Sequence, residues 1–244
     1  EALTFSNPKV QRLRRLLGRR SSRSDEGRFV VEGPSLIAQA IDAGWEVIAQ
    51  YVAPHGEPVG SSGTIHHLGP NVIERVASTT TPQPVLAEVA MRDLPVPERP
   101  SFVVVVDQLS DPGNAGTIIR CAEAAGAEAV LLTPGSVDVY NPKVVRASAG
   151  SLFRVPLATM TWAQIGMLGA ATTATSSHHG EVYTDVDLTV PVAIVLGNEA
   201  HGLSPDAAVQ RWVTIPQQGQ AESLNVAMAG AVLLFEVARQ RRRR

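Results

Sequence analysis

The run Phe102-Val103-Val104-Val105-Val106 narrows the fold more than any other feature of the sequence. An unbroken β-branched stretch is a strand buried on both faces, as crossover helices bury the strands of a parallel sheet. The pattern downstream agrees. A helix is expected over 115–125, capped by Asn114 and ended by Gly126, then a strand over 128–133. Helices follow over 142–148 and over 161–168, the latter capped by Thr161. Strands are expected over 171–175, 192–196 and 212–215, with a short helix opened by Ser204-Pro205. A final helix over 223–239 is apolar all round between Val226 and Phe235, which predicts burial in the core or at a subunit interface. Alternating strands and helices imply a doubly wound α/β sheet, with ligands at the carboxyl ends of its strands.

Upstream, residues 92–100 contain Pro95, Pro97 and Pro100 without apolar periodicity and read as an extended linker. This divides the chain into an N-terminal domain over 1–91 and a second domain over 101–244. The first half predicts a basic helix over 8–17, with Asn7 as cap and Pro8 in its first turn. Then come a strand over 28–32, a helix from Gly33-Pro34 to about 43 closed by Gly44, strands over 47–52 and 64–67, and a helix over 70–77. This small α/β unit carries no catalytic constellation. His66 and His67 are adjacent, so in a strand they face opposite ways and cannot share a metal.

Charge is unevenly placed. Residues 1–30 carry eight basic and three acidic side chains, residues 31–240 are acidic on balance, and Arg241 to Arg244 close the chain, leaving a net −2. Basic ends on an acidic body suggest a polyanion partner, although the terminal run alone reads as a solvated tail. With 44% apolar and 18% charged residues the chain can build a sizeable core. One cysteine, Cys121, makes no internal disulfide and fits a reducing cytoplasm. No apolar run approaches the roughly 18 residues of a membrane span, and no signal-peptide core is present, so a soluble, intracellular protein is expected.

Three polar, glycine-bearing segments follow the strands of the second half: 107–120, 196–203 and 215–226. Each alone reads as a turn and a helix cap; three together point to one convergent site. The dinucleotide fingerprint, the P-loop and the hydrolase elbow are all missing, and no histidine pair has helical metal spacing.

The matching elements are Asn114-x-Gly116-x-x-x-Arg120, then Leu196-Gly197-Asn198-Glu199-x-x-Gly202-Leu203, then Ile215-Pro216 followed by Ser223-Leu224-Asn225-Val226. They resemble the three motifs of the SpoU (TrmH-like) RNA ribose 2′-O-methyltransferases of the SPOUT class, over about residues 101–240. The segment from Asn141 to Gly150 is also typical of this group. Residues 5–90 resemble, more loosely, the N-terminal substrate-binding domain of such enzymes. Gln217 departs from the pattern, since the family often has methionine after the proline.

The resemblance implies a trefoil-knotted parallel α/β domain, a homodimer with the last helix near the interface, and S-adenosylmethionine as cofactor. The cofactor would lie against Leu196, Gly197, Ile215 and Leu224, with Thr175 toward the adenine. Asn114, Arg120, Glu199, Ser223 and Asn225 are the implied catalytic set. A guanidinium is a poor free base, so Arg120 is expected to orient an RNA phosphate bidentately, with Glu199 anchoring Arg120 or the loop. The RNA-gripping candidates are Arg12, Arg14, Arg15, Arg19 and Arg20, which favour structured ribosomal RNA. Transfer RNA as substrate, or an RNA-binding protein without methyl transfer, are the alternatives. No metal is implied. His201 reads as an exposed loop residue and Cys121 as a small buried filler.

Overall fold

The computed structural model describes residues 2–220 and 223–242. Ala221 and Glu222 of the third glycine-bearing segment, and Arg243 and Arg244 of the terminal run, lie outside the described residues. The first elements are α1 (Pro8–Gly18), α2 (Arg20–Glu26), β1 (Arg28–Glu32), α3 (Pro34–Asp42), β2 (Val47–Val52), β3 (Thr64–His67), α4 (Val72–Val76) and β4 (Val85–Ala90). Next come β5 (Phe102–Val106), α5 (Pro112–Ala125), β6 (Ala129–Leu132), α6 (Pro142–Ala147), β7 (Leu157–Thr159), α7 (Trp162–Met167) and β8 (Ala171–Thr175). The chain finishes with β9 (Glu181–Val182), β10 (Val192–Leu196), β11 (Arg211–Thr214) and α8 (Val226–Arg242). Two compact units result: Glu1–Arg92 with Asp138–Phe153, and Asp93–Val137 with Arg154–Arg244.

In the first unit a four-stranded sheet has the order β1-β4-β2-β3, antiparallel except for the β2/β3 pair. Val10, Leu13, Leu16 and Leu17 recur at helical spacing on α1 and pack with Val30, Tyr51 and Leu86 of the sheet. Strand β4 was not anticipated, because Glu88 interrupts its apolar run. Glu88 is fully buried, and its carboxylate accepts from the Tyr51 hydroxyl at 2.7 Å, Arg12 at 2.9 Å and Arg28 at 3.2 Å. A buried carboxylate is tolerated only when paired in this way. Burial, then the bond to Glu88, holds the Tyr51 proton on well above the usual phenol range. Arg12 therefore serves the interior of this unit as well as its surface.

One segment from the second half of the sequence groups with the first unit. Residues 138–153 pack in the first unit, not with the second half of the chain. Phe29, Trp45, Tyr140 and Phe153 form an aromatic cluster, with Phe29 and Tyr140 centroids 4.7 Å apart. Trp45 Nε1 donates to the Phe153 carbonyl at 2.9 Å, Arg23 Nε donates to Asp138 at 2.8 Å, and Arg146 donates to Glu32 at 3.1 Å. Each pair joins residues about a hundred positions apart.

The second unit holds a seven-stranded parallel sheet of order β7-β6-β5-β10-β8-β11-β9. As the β-branched run requires, β5 is an interior strand and buried throughout. Val103, Val105, Ala129, Leu131, Ala193 and Val195 fill one face beneath Trp162 and Ile165 of α7. The short strands β7 and β9 were not foreseen. Ser204-Pro205 opens a turn and not a helix: the Ser204 amide and hydroxyl donate to Asp107 at 2.6 and 3.1 Å, which diverts the chain.

Helix α8 is not buried all round in this chain. Ala227, Gly230, Leu233, Leu234 and Val237 face inward, while Met228, Val232 and Phe235 are 59%, 38% and 43% exposed. Its arginines are partly structural too. Arg241 donates to the carbonyls of Ser101 at 2.7 Å and Val190 at 2.9 Å, and Arg239 pairs with Glu236 at 2.6 Å. Among the described residues no helix is long and apolar enough to cross a membrane.

Candidate active site

All three glycine-bearing segments lie in the second unit, at the carboxyl ends of β5, β10 and β11, where a doubly wound sheet places ligands. The first opens α5, and the cap is Asp111, not Asn114: the Asp111 side chain accepts the Asn114 amide at 2.7 Å. Asn114 thus stands in the first turn with its own side chain free for other work. That side chain is the middle of a chain of bonds across the segments. Asn114 Nδ2 donates to Glu199 Oε1 at 2.9 Å, and Asn225 Nδ2 donates to Asn114 Oδ1 at 3.1 Å. Asn225 Oδ1 accepts the amides of Ala227 at 2.9 Å and Met228 at 3.3 Å and so caps α8.

The amide orientations follow from chemistry. A carboxylate only accepts, so Asn114 must turn its NH2 to Glu199 and its oxygen to Asn225. Asn225 must then donate there, which leaves its oxygen for the α8 cap. Glu199 is further met by the Ser110 hydroxyl at 3.4 Å. The expected Glu199–Arg120 anchor is not formed; Glu199 engages Asn114 and Ser110. Arg120 is exposed, and six residues on it lies about 240° around the helix from Asn114, away from this bond chain. Burial raises the Cys121 thiol pKa while Arg120 lowers it, and the net is upward, which suits a packing role.

The second segment is pinned by its own backbone and by a buried acid. Asn198 and Gly202 exchange backbone bonds at 2.8 and 3.0 Å. A Cβ on Gly197 would sit 2.8 Å from the Gly202 carbonyl carbon, so only glycine allows this approach. The Asn198 side chain donates to the Gln108 carbonyl at 2.7 Å and accepts the Ala200 amide at 2.9 Å. Asp107, fully buried at the end of β5, ties Ser204 to the Thr133 hydroxyl, which it meets at 2.6 Å. His201 is exposed, as expected.

Between the segments lies a cavity of about 670 Å³. Its wall includes Thr175, Gly197, Ile215 and Leu224 from the expected cofactor set, and Glu199, Ser223 and Asn225 from the expected catalytic set. Leu196 is not part of it. That side chain is fully buried and lies beneath Gly230, where a Cβ would come within 2.8 Å of it. Ser176, beside Thr175, and Gln217, the departure from the family pattern, also line the cavity, as do His179 and Trp212, which sequence reasoning missed. The signal was available: residues 176–180 are a fourth polar, glycine-ended segment following a strand, but the two histidines drew only a metal test.

The SpoU rRNA Methylase family model matches residues 101–235, and the MRM3-like substrate binding domain model matches residues 7–87. The 23S rRNA (uridine(2479)-2′-O)-methyltransferase of Streptomyces viridochromogenes is 33% identical over 266 residues, covering 98% of this chain and 92% of the relative. The 23S rRNA (guanosine(2553)-2′-O)-methyltransferase RlmP of Bacillus subtilis is 29% identical, covering 95% of this chain and 96% of the relative. The crystal structure of the SpoU methyltransferase AviRb from Streptomyces viridochromogenes in complex with AdoMet superposes with a TM-score of 0.87 at 31% identity, covering 96% of this chain and 98% of that one. With a family model spanning more than half its length and a relative this similar over nearly all of it, the chain belongs to the SpoU rRNA methylase family.

Proposed function

We propose that this protein transfers a methyl group from S-adenosylmethionine to a ribose 2′-hydroxyl of ribosomal RNA. The observation that carries the reading is the Asn225–Asn114–Glu199 bond chain beside a glycine-edged cavity. At about 670 Å³ the cavity falls within the roughly 300–1,000 Å³ of small-molecule sites. Its residues fit the cofactor, because Gly197 keeps the backbone bare. Gly197, Ile215, Leu224 and Thr175 would hold it. When bound, the cofactor would supply a methyl on a positively charged sulfur, and Glu199 contributes a carboxylate to the wall.

The protein's part is positioning. Glu199 and Asn225 lock the Asn114 amide, and Ser223 and Asn225 border the same space, so a ribose would meet fixed polar groups and not rotating ones. Arg120 would orient a backbone phosphate through its fork, with proton loss from the 2′-hydroxyl assisted by that phosphate. Exposed Arg14, Arg15 and Arg19, together with Arg20 on α2, offer RNA a basic face on the first unit. Arg75 extends it, its guanidinium stacked 3.7 Å from the centre of the Phe5 ring. The cytoplasm suits this substrate and a free Cys121.

Two features of the assembly belong to the same reading. Met228, Val232 and Phe235 repeat at four and three residues along α8, an apolar stripe suited to a second copy of the chain. The knot is supported by strand order: β10 enters between β5 and β8, and β11 between β8 and β9, so late strands occupy places flanked by earlier ones. The test is labelled-methyl transfer to unmodified ribosomal and transfer RNA in parallel, with the 2′-O-methyl mapped. Label in ribosomal RNA that vanishes with Arg120→Ala supports the reading. Label only in transfer RNA changes the substrate, and cofactor binding without any transfer would sink the enzymatic claim.

A further inference from the structure

Residues 138–153 leave the second unit after Val137 and rejoin it at Arg154. Each end of this excursion is tied on both sides of the crossing. Asp138 is held in the first unit by Arg23, whose Nε and Nη2 donate to one carboxylate oxygen at 2.8 and 2.5 Å. The other oxygen accepts the Tyr140 amide at 3.0 Å. Arg23 is 3% exposed, and its Nη1 donates to the Leu16 carbonyl of α1 at 2.7 Å. One residue back, in the second unit, the Val137 amide donates to the Leu109 carbonyl at 2.8 Å. Leu109 is fully buried and leads into Ser110, which meets Glu199, and Asp111, which caps α5 below Asn114.

The far end repeats the pattern. The Phe153 carbonyl accepts Trp45 Nε1 at 2.9 Å in the first unit, and Arg154, the next residue, donates to Glu123 of α5 at 3.1 Å in the second. A buried ion pair and a buried indole bond make stiff anchors, because breaking either leaves a polar group out of water without a partner. On one side these anchors hold to α1 and α2, the helices that carry Arg14, Arg15, Arg19 and Arg20. On the other they hold to the loop and helix of the Asn225–Asn114–Glu199 bond chain. The link between the two is the main chain itself.

We propose that Arg23 is a positioning residue for methyl transfer: through Asp138 and the Val137–Leu109 bond, RNA held by the first unit sets the geometry of Ser110, Glu199 and Asn114. The inference rests on the methyltransferase reading above and adds to it a route from substrate grip to reacting groups. Binding energy gained far from the ribose is then spent on orientation, which shows in kcat and not in KM.

The test uses the full chain with unmodified ribosomal RNA and labelled S-adenosylmethionine. Asp138→Asn keeps the side chain's shape but leaves one neutral oxygen for both Arg23 and the Tyr140 amide. Trp45→Phe releases the far end and keeps the aromatic cluster. Single-turnover transfer at saturating RNA and cofactor should fall about tenfold in Asp138→Asn and several-fold in Trp45→Phe, with both dissociation constants within about twofold of wild type. Bound RNA should slow hydrogen exchange over residues 109–114 in the wild type but not in Asp138→Asn; comparing bound with free protein cancels any uniform loss of stability. An unchanged rate at saturation overturns the proposal, as does a rate lost only through weaker RNA binding, or wild-type exchange over 109–114 that ignores RNA. Should Asp138→Asn fail to fold, Trp45→Phe carries the same comparison alone. Wild-type protein that transfers no methyl to ribosomal RNA overturns the methyltransferase reading itself.

Discussion

Asp107 offers the sharpest test of how the site is held. Its fully buried carboxylate accepts from the Thr133 hydroxyl at 2.6 Å, and from the part-buried Ser204 amide at 2.6 Å and hydroxyl at 3.1 Å. Ser204 in turn accepts Trp162 Nε1 at 3.1 Å, so one buried acid joins β5, the end of β6, α7 and the loop after β10. Hydrogen bonds to a charged group contribute about 1.5–3 kcal/mol each, and their sum is offset by the cost of burying the carboxylate. Asp107→Ala should therefore cost about 3–5 kcal/mol, lowering the melting temperature by about 6–20 °C. Asp107→Asn is milder. One oxygen still meets the Ser204 amide, and the two hydroxyls rotate to accept from the new NH2, at a cost of about 1–2 kcal/mol for the lost charge.

The functional consequence differs in kind. Ser204 ends the loop that begins at Gly197, so loosening it disturbs the cofactor wall more than the catalytic amides. Asp107→Asn should raise the KM for S-adenosylmethionine several-fold while kcat at saturating cofactor changes little. The assay is differential scanning calorimetry of both variants beside initial rates over a cofactor series. Unchanged melting temperatures in both, or a fall in kcat with KM constant, would refute the argument that Asp107 positions the cofactor loop.

Gly197→Ala drives a methyl to within 2.8 Å of the Gly202 backbone, and cofactor affinity measured by calorimetry should fall at least tenfold. Asn225→Asp retains the α8 cap but removes the donor to Asn114 Oδ1 and sets two oxygens against each other. Turnover should fall by about 10² or more, with a melting temperature within a few degrees of wild type; a matching loss of stability would mean the residue is only a cap. Burial alone would raise the Glu128 pKa, but bonds from the Ser101 hydroxyl and amide and the Phe102 amide, with Arg241 nearby, hold it below the usual glutamate value. The stabilisation is present above the ordinary carboxylate range and lost as pH falls below it. Glu128→Gln should flatten the decline of melting temperature on acidification below about pH 4.5.

What the sequence alone determined is local and periodic. Phe102 and the four valines from Val103 to Val106 dictated a strand buried on both faces, and that strand lies in the interior of a parallel sheet. Thr161 and Gln164 specify a capping box in four residues, and Asn7-Pro8 specify the start of α1. The three motif segments were legible because each carries its own turn chemistry next to a strand. The RNA-facing reading of the arginines was less secure, since charge says nothing about partners folded in from elsewhere.

What the tertiary structure alone decided depends on pairs far apart in sequence. Glu88 hides β4 from any periodicity argument, because the groups that make its burial tolerable lie 76, 60 and 37 residues away, at Arg12, Arg28 and Tyr51. Residues 138–153 join the first unit through Arg23, Phe29 and Trp45, which no local pattern announces. Asn114 and Glu199 were both visible as polar residues in loops. That Glu199 holds Asn114 and not Arg120 was fixed only when an acceptor-only carboxylate met an amide whose other end faced Asn225. Local sequence sets which backbone torsions and faces are favourable; the pairing of buried polar groups is set by where the chain brings them, and that is a property of the whole fold.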